Sequence, residues 1–397
     1  MSLHSTLPPA SETALAHSHA VQKLIQNEIT QTGGWISFDQ FMNLALYAPG
    51  MGYYSGGATK LGHAGDFVTA PEISSLFGRT LARQIKQISE QVENADILEF
   101  GAGSGKLALD ILSELEQLDC LPKKYFILEV SAELRERQRA LIATEAPRFM
   151  HLLEWLERLP TQFNGTVLAN EVLDAMPVHI VSWHDDTLHE RGVIWQNAQF
   201  EWQERVIQNQ ELYKIARELM CQVNPDNDAA ATYPYISEIN LAARRFVRSL
   251  ADVIQQGVIL FIDYGFGRSE YYHPQRNQGT LMCHYRHHAH DDPFYLPGLQ
   301  DITSHVDFSA VTEVAENTEL LLSGYTTQAF FLINCGITEI LAQTSAENMN
   351  QYLPQANQLQ KLISPAEMGE LFKVIAFSKH FPEPLIGFST GDKSRLL

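Results

Sequence analysis

The stretch Ile97-Leu98-Glu99-Phe100-Gly101-Ala102-Gly103-Ser104-Gly105-Lys106 decides the fold. Its apolar run stops at three glycines in alternate positions, after which the sequence returns to a helical rhythm of apolar residues. That combination predicts a strand, a tight turn and a helix whose unpaired N-terminal amides face whatever the loop cradles. Working outward, short apolar runs at 96–100, 125–130, 149–153, 165–170 and 258–263 are expected as strands, with helical patterns at 106–117 and 132–144 between the early ones. The βαβαβ order predicts an α/β, Rossmann-like sheet, mostly parallel, with helices on both faces. Residues 78–177 and 251–385 are expected to form this core, with 326–333 and 372–378 as its last elements. Residues 1–77 read as an N-terminal extension, loose over the first twenty, helical from Val21 and rich in Gly and Tyr from 36 to 77. Residues 178–250 read as an insertion between the fourth and fifth strands, a lid or substrate region.

The loop's spacing narrows its ligand. A dinucleotide fingerprint, G-x-G-x-x-G, asks for glycine at its sixth place, but counting from Gly101 that place is Lys106, and the third glycine is Gly105. This favours an S-adenosylmethionine site over a nicotinamide site. Glu99 can accept from the ligand's cationic amino group, while Glu129, closing the next strand, can take both ribose hydroxyls. The cofactor-binding set is therefore Glu99, Gly101, Ala102, Gly103, Gly105 and Glu129, and Lys106 is expected to be a solvated first-turn residue. A plain strand-to-helix turn with an exposed strand-end acid is the alternative.

Ligands of open parallel sheets sit beyond the carboxyl ends of the strands, so Asn170-Glu171-Val172-Leu173-Asp174-Ala175-Met176-Pro177 is expected to face the same crevice. Asn170 and Glu171 together can hold a nitrogen nucleophile by its hydrogens and turn its lone pair toward a methyl donor. A helix cap with Glu171 and Asp174 in its first turn suits the same residues. In Gly65-Asp66-Phe67-Val68-Thr69-Ala70-Pro71-Glu72, the two acids can close over cofactor or acceptor, or simply mark a helix entry. Asn170, Glu171, Asp174 and Glu72 are thus the catalytic candidates, with Asp66 and Asn170 added to the cofactor set. His284, His287, His288 and His290, with Asp291 and Asp292, match no regular metal-ligand spacing, so a polar substrate wall and no metal is expected there. His305 is the better candidate for the active site, against a helix-entry or core histidine.

The chain's bulk properties bound its partners. The formal charge is −19 across 397 residues, with no basic patch, which disfavours nucleic acid and favours a basic protein or peptide. No apolar run reaches the roughly 18 residues of a membrane span, so no membrane partner is expected. Cys120, Cys221, Cys283 and Cys335 lie far apart without a CxxC pair, as in a reduced cytoplasmic protein, and no export or import segment is expected.

Gly62 to Glu72, Glu99 to Gly105, Asn170 to Pro177, Ile262 to Gly265 and Asp301-Ile302-Thr303-Ser304-His305-Val306-Asp307-Phe308 together resemble the MidA-like methyltransferases. These are relatives of the mitochondrial complex I assembly factor 7, which methylates arginine in a partner subunit. The resemblance runs from about Ile36 to Lys379 and implies a seven-stranded class I methyltransferase fold, S-adenosyl-L-methionine as cofactor and a protein arginine as acceptor. Its signature positions fall on Asp66, Pro71, Glu72, Gly101, Gly103, Gly105, Glu129, Asn170, Glu171, Asp174 and Pro177. A cofactor-binding assembly scaffold without transfer activity, and transfer to glutamine or a small-molecule nitrogen, are the alternatives. A homodimer is compatible with all of them.

Overall fold

Strand β1, Asp96–Phe100, is buried from Ile97 onward because it lies inside a sheet covered on both faces. The other strands of the path through that sheet are β2 (Tyr125–Leu128), β3 (Leu153–Leu156), β4 (Phe163–Asn170), β5 (Ile254–Phe266), β6 (Leu321–Thr327) and β7 (Phe372–Lys379). In the computed structural model, which describes residues 7–56, 69–184, 187–223 and 234–397, they are ordered β3-β2-β1-β4-β5-β7-β6. β1 to β5 pair in parallel, while β7 runs antiparallel to both β5 and β6. Strand order reverses between β1 and β4, and their carboxyl ends are level, with Phe100 opposite Ala169. Gly101 and Asn170 therefore leave the sheet side by side at its switch point, where ligands of such sheets bind.

This sheet belongs to a unit of Val68–Leu173, Phe246–Gly265 and Phe308–Leu397. Helix α1 (Ser75–Ser89) starts where the Ser74 hydroxyl accepts from Leu76 N, and buries Leu76, Phe77, Thr80, Leu81, Gln84, Ile85 and Ile88 at helical spacing. It packs on α2 (Lys106–Gln117) through Gly78, where an added Cβ would lie 2.7 Å from Asp110 Cβ. Each large aliphatic on these faces contributes about 1.5–3 kcal/mol by leaving water. Helix α3 (Ala132–Glu145) follows β2 and begins at Ser131, whose hydroxyl accepts from Leu134 N.

Three expectations shift here. The third strand lies at Leu153–Leu156 rather than 149–153, because Pro147 opens a 3-10 turn that sends Phe149 into the core. The expected element at 326–333 is divided at Thr327, where β6 ends and the Thr327 hydroxyl caps helix Gln328–Asn334. Residues 266–307, placed in the core by sequence, group with the second unit.

The second unit comprises Met1–Phe67, Asp174–Arg245 and Phe266–Asp307. Its first helix, Glu12–Gln31, begins nine residues earlier than the apolar pattern at Val21 suggests, since Ser11 accepts from Ala14 N and starts it. Val21, Ile25 and Ile29 then bury against Phe38, Phe41 and Leu46 of helix Phe38–Tyr47. Strands Ile36–Ser37, His179–His184, Thr187–Gln196, Gln199–Val206 and Tyr235–Ile239 form an antiparallel sheet. One of its hairpins turns at Asn197 and Ala198, both with positive φ, as a two-residue primed turn requires.

Candidate active site

The glycine loop follows β1 with Gly101, Gly103 and Gly105 at φ of 61°, 54° and 88°. These are left-handed conformations that glycine adopts without strain. The loop leaves little room for side chains of its own: a Cβ on Gly101 would lie 3.2 Å from Val172 Cγ2, and one on Gly105 would lie 3.2 Å from Gln138 Cα. Ser104 joins this loop to helix Ala70–Ile73, its hydroxyl accepting from Lys106 N and donating to Glu72. The structure thus brings Glu72 to the glycine loop. Lys106 is not merely solvated; its Nζ meets Asp110, one turn on, at 2.6 Å.

Behind the loop two acids are enclosed. Glu99 is 2% exposed, and the Tyr125 hydroxyl donates to its Oε2 at 2.8 Å. Burial pushes the Glu99 carboxyl up to about 8; the Tyr125 bond opposes the shift and the charge of Glu129 adds to it. Glu129 accepts from Ser131 N at 3.0 Å through one oxygen and from Gln138 Nε2 at 3.2 Å through the other. Burial raises its carboxyl too, against the pull of those bonds. The backbone N–H of Val130 adds to that pull, and the carboxylate's remaining acceptor capacity is what a ribose hydroxyl would use.

At the end of β4, Asn170 Nδ2 donates to Glu171 Oε1 at 3.2 Å, whereas its buried Oδ1 accepts no hydrogen bond among the described residues. Glu171 has φ of 53°, an uncommon conformation for a residue with a Cβ. The turn is tied to β5: Glu171 N donates to Ile262 O, and Leu173 N and Tyr264 N donate to the two oxygens of buried Asp263, all at 2.9 Å. Glycine loop, Glu72, Glu99, Glu129, Asn170 and Glu171 therefore belong to one unit and gather around the ends of β1, β2 and β4. Sequence reading passed over Ser104, Tyr125, Gln138 and Trp155. A lone amide in the charged run of α3 is the one signal that points to Gln138.

Asp66 lies outside the described residues. Asp174 opens the second unit, where it is buried and its carbonyl accepts from Ser304 N at 3.0 Å. His305 stacks on Phe266 at 5.2 Å in that unit, and its backbone N–H donates to Thr280 Oγ1 at 3.1 Å. The histidine-rich segment is not a loop throughout: Met282–Tyr285 and His288–His290 form a hairpin turning at Arg286 and His287, both with positive φ. Its register puts His284 on the face opposite to His288 and His290. Burial, then the charge of His290, lowers the His284 pKa. Elsewhere in the unit, His179 Nδ1 meets Glu190 at 2.7 Å and Asp39 at 3.3 Å. The shorter separation is that of a shared proton, since ligand atoms about 2.0–2.1 Å from a tetrahedral metal stand farther apart. No described helix is long and apolar enough to cross a membrane.

A parallel sheet of this order, with a left-handed glycine loop at its switch point and an acid closing the neighbouring strand, defines a nucleoside-binding α/β domain. The family model described as "Putative S-adenosyl-L-methionine-dependent methyltransferase" matches residues 76–326. A Burkholderia thailandensis protein described as a "likely methyl transferase" and solved with S-adenosyl-homocysteine bound is 47% identical over 99% of this chain and 100% of that one, with a TM-score of 0.93. The mitochondrial protein arginine methyltransferase NDUFAF7 homolog of Drosophila melanogaster is 28% identical over 96% of this chain and 91% of its own. Human mitochondrial protein arginine methyltransferase NDUFAF7 is 27% identical over 87% and 81%. The chain belongs to this family of S-adenosyl-L-methionine-dependent methyltransferases. The expected cytoplasmic compartment is corrected by the same comparison: the curated relatives are mitochondrial, so scattered cysteines do not assign a compartment.

Proposed function

We propose that this methyltransferase modifies an arginine side chain of a partner protein, with Asn170 and Glu171 holding the guanidinium. The observation that carries the reading is the buried Asn170 Oδ1, which accepts no hydrogen bond among the described residues, on the amide whose Nδ2 donates to the Glu171 carboxylate at the end of β4. An amide oxygen and a carboxylate side by side match a planar cation that only donates. The names of the relatives support arginine as the acceptor, and the formal charge of −19 supports a basic partner segment.

Bound in this site, S-adenosyl-L-methionine supplies an electrophilic methyl group on its sulfonium. Gly101, Ala102, Gly103 and Gly105 would let the backbone approach it, Glu129 would take the ribose hydroxyls, and Glu99 and Glu72 would meet its amino-acid end; Asp66, outside the described residues, is assigned to the cofactor from the sequence alone. Asn170 and Glu171 orient the guanidinium so that one nitrogen's lone pair is directed at the methyl carbon, which supplies most of the rate by alignment. Glu171 would accept the proton that this nitrogen gives up as its bond to carbon forms and the carbon–sulfur bond breaks, leaving S-adenosylhomocysteine. Asp263 holds the turn that carries Glu171, and Asp174 ends it. The test is Glu171→Gln: S-adenosylhomocysteine binding is expected to stay within about twofold while transfer falls about 100-fold. Undiminished transfer, or loss of binding in step with transfer, overturns the assignment.

A further inference from the structure

Helix α3 is charged along most of its length, yet Gln138 at its middle has no exposed surface. A buried amide needs partners for two N–H groups and an oxygen, and Gln138 has all three. The indole N–H of Trp155, on β3, donates to Gln138 Oε1 at 2.8 Å. Because an indole N–H can only donate, that contact decides which end of the amide is oxygen. Nε2 is thereby turned the other way, to Gly103 O at 3.0 Å and Glu129 Oε2 at 3.2 Å. One side chain thus clasps the glycine loop to the acid closing β2, and a residue two strands away from the loop sets its orientation. Arg139 lies over the outer face of the same indole at 4.6 Å.

We propose that Trp155, acting through Gln138, is a positioning residue that fixes Glu129 and the glycine loop for the adenosyl ribose. This rests on the reading of Glu129 as the ribose acceptor. Without the indole N–H, the Gln138 amide is free to turn over and present its oxygen to Glu129 and to Gly103 O, acceptor against acceptor. Glu129 then loses its fixed direction toward the 2′- and 3′-hydroxyls, while no side chain assigned to the acceptor, Asn170 or Glu171, is altered.

The experiment measures S-adenosylhomocysteine affinity by calorimetry, together with KM for S-adenosylmethionine and kcat, on the full chain. Trp155→Phe, which keeps the ring and removes the donor, is expected to raise Kd and KM about tenfold with kcat at saturation within about twofold. Gln138→Leu, which leaves Trp155 intact, is expected to do the same, and Trp155→Phe should add less than about twofold on top of it. Arg139→Ala, which spares the indole N–H, should stay within about twofold of wild type. Equal effects of Trp155→Phe with and without Gln138, or kcat and KM falling off together, overturn the proposal in favour of a merely structural indole. Glu129→Ala separates the two ideas. If it leaves binding intact, the ribose assignment itself fails; if it weakens binding and Trp155→Phe does not, only the positioning role fails.

Discussion

Replacing Glu171 by glycine and, separately, by alanine divides what the backbone wants there from what the chemistry wants. The residue sits at φ of 53°, held by Glu171 N to Ile262 O and by Asp263 on Leu173 N. A side chain in that conformation costs about 1–2 kcal/mol, while glycine's extra unfolded-state freedom costs about 0.5–1 kcal/mol. Glu171→Gly should therefore be about 0.5–1 kcal/mol more stable than Glu171→Ala. Both variants lose the hydrogen bond from Asn170 Nδ2, so that contribution cancels between them. Urea unfolding midpoints read the difference, and labelled methyl transfer is measured on the same preparations. Both variants should be nearly inactive. Equal stability of the two refutes the strain argument. A glycine variant that transfers normally refutes the claim that the strained position is kept for its carboxylate.

Glu99 should make cofactor binding pH-dependent. Its folded carboxyl titrates near 8 against an ordinary 4.5, so the folded chain holds a proton that the unfolded chain releases between those values. Stability therefore falls as pH rises through that window, by up to about 1.4 kcal/mol per unit, and levels off above it. A ligand ammonium beside Glu99 drives the proton off. Calorimetry at pH 7 in buffers of differing ionisation enthalpy should show proton release on S-adenosylhomocysteine binding, absent in Glu99→Gln; no release from the wild type contradicts this. Glu72→Gln, which weakens the bond from Ser104, should raise KM for the cofactor about fivefold and leave acceptor KM unchanged, whereas a shift in acceptor KM alone returns Glu72 to the acceptor side. Gly257 pairs with Gly165 across β5 and β4, and a Cβ on it would lie 1.9 Å from Gly165 O. Gly257→Ala should cost at least about 3 kcal/mol in urea unfolding, and an unchanged midpoint contradicts the close approach.

The sequence shows its glycine loop and flanking strands openly because alternating glycines and a buried parallel strand leave a local pattern. Glu129 was legible for the same reason, as the acid at the end of the next apolar run. Asn170 and Glu171 could be placed at a strand end, but the open Oδ1 and the left-handed backbone depend on Ile262 and Asp263, more than ninety residues on. Gln138 and Trp155 show the same limit, since their meaning is a three-way contact between α3, β3 and the loop. Local chemistry also misled. Ser11 starts a helix in a stretch rich in Ser, Ala and His, and Arg286 with His287 makes a hairpin turn without the usual glycine or asparagine.

The central claim is that methyl transfer ends on a guanidinium nitrogen. The purified chain, given S-adenosylmethionine labelled in its methyl group and proteins from cells lacking the enzyme, should place label in methylarginine after complete hydrolysis, and Glu171→Gln should lower its initial rate about 100-fold. Label confined to methylglutamine or to small molecules, or equal methylarginine label with the variant, contradicts the account.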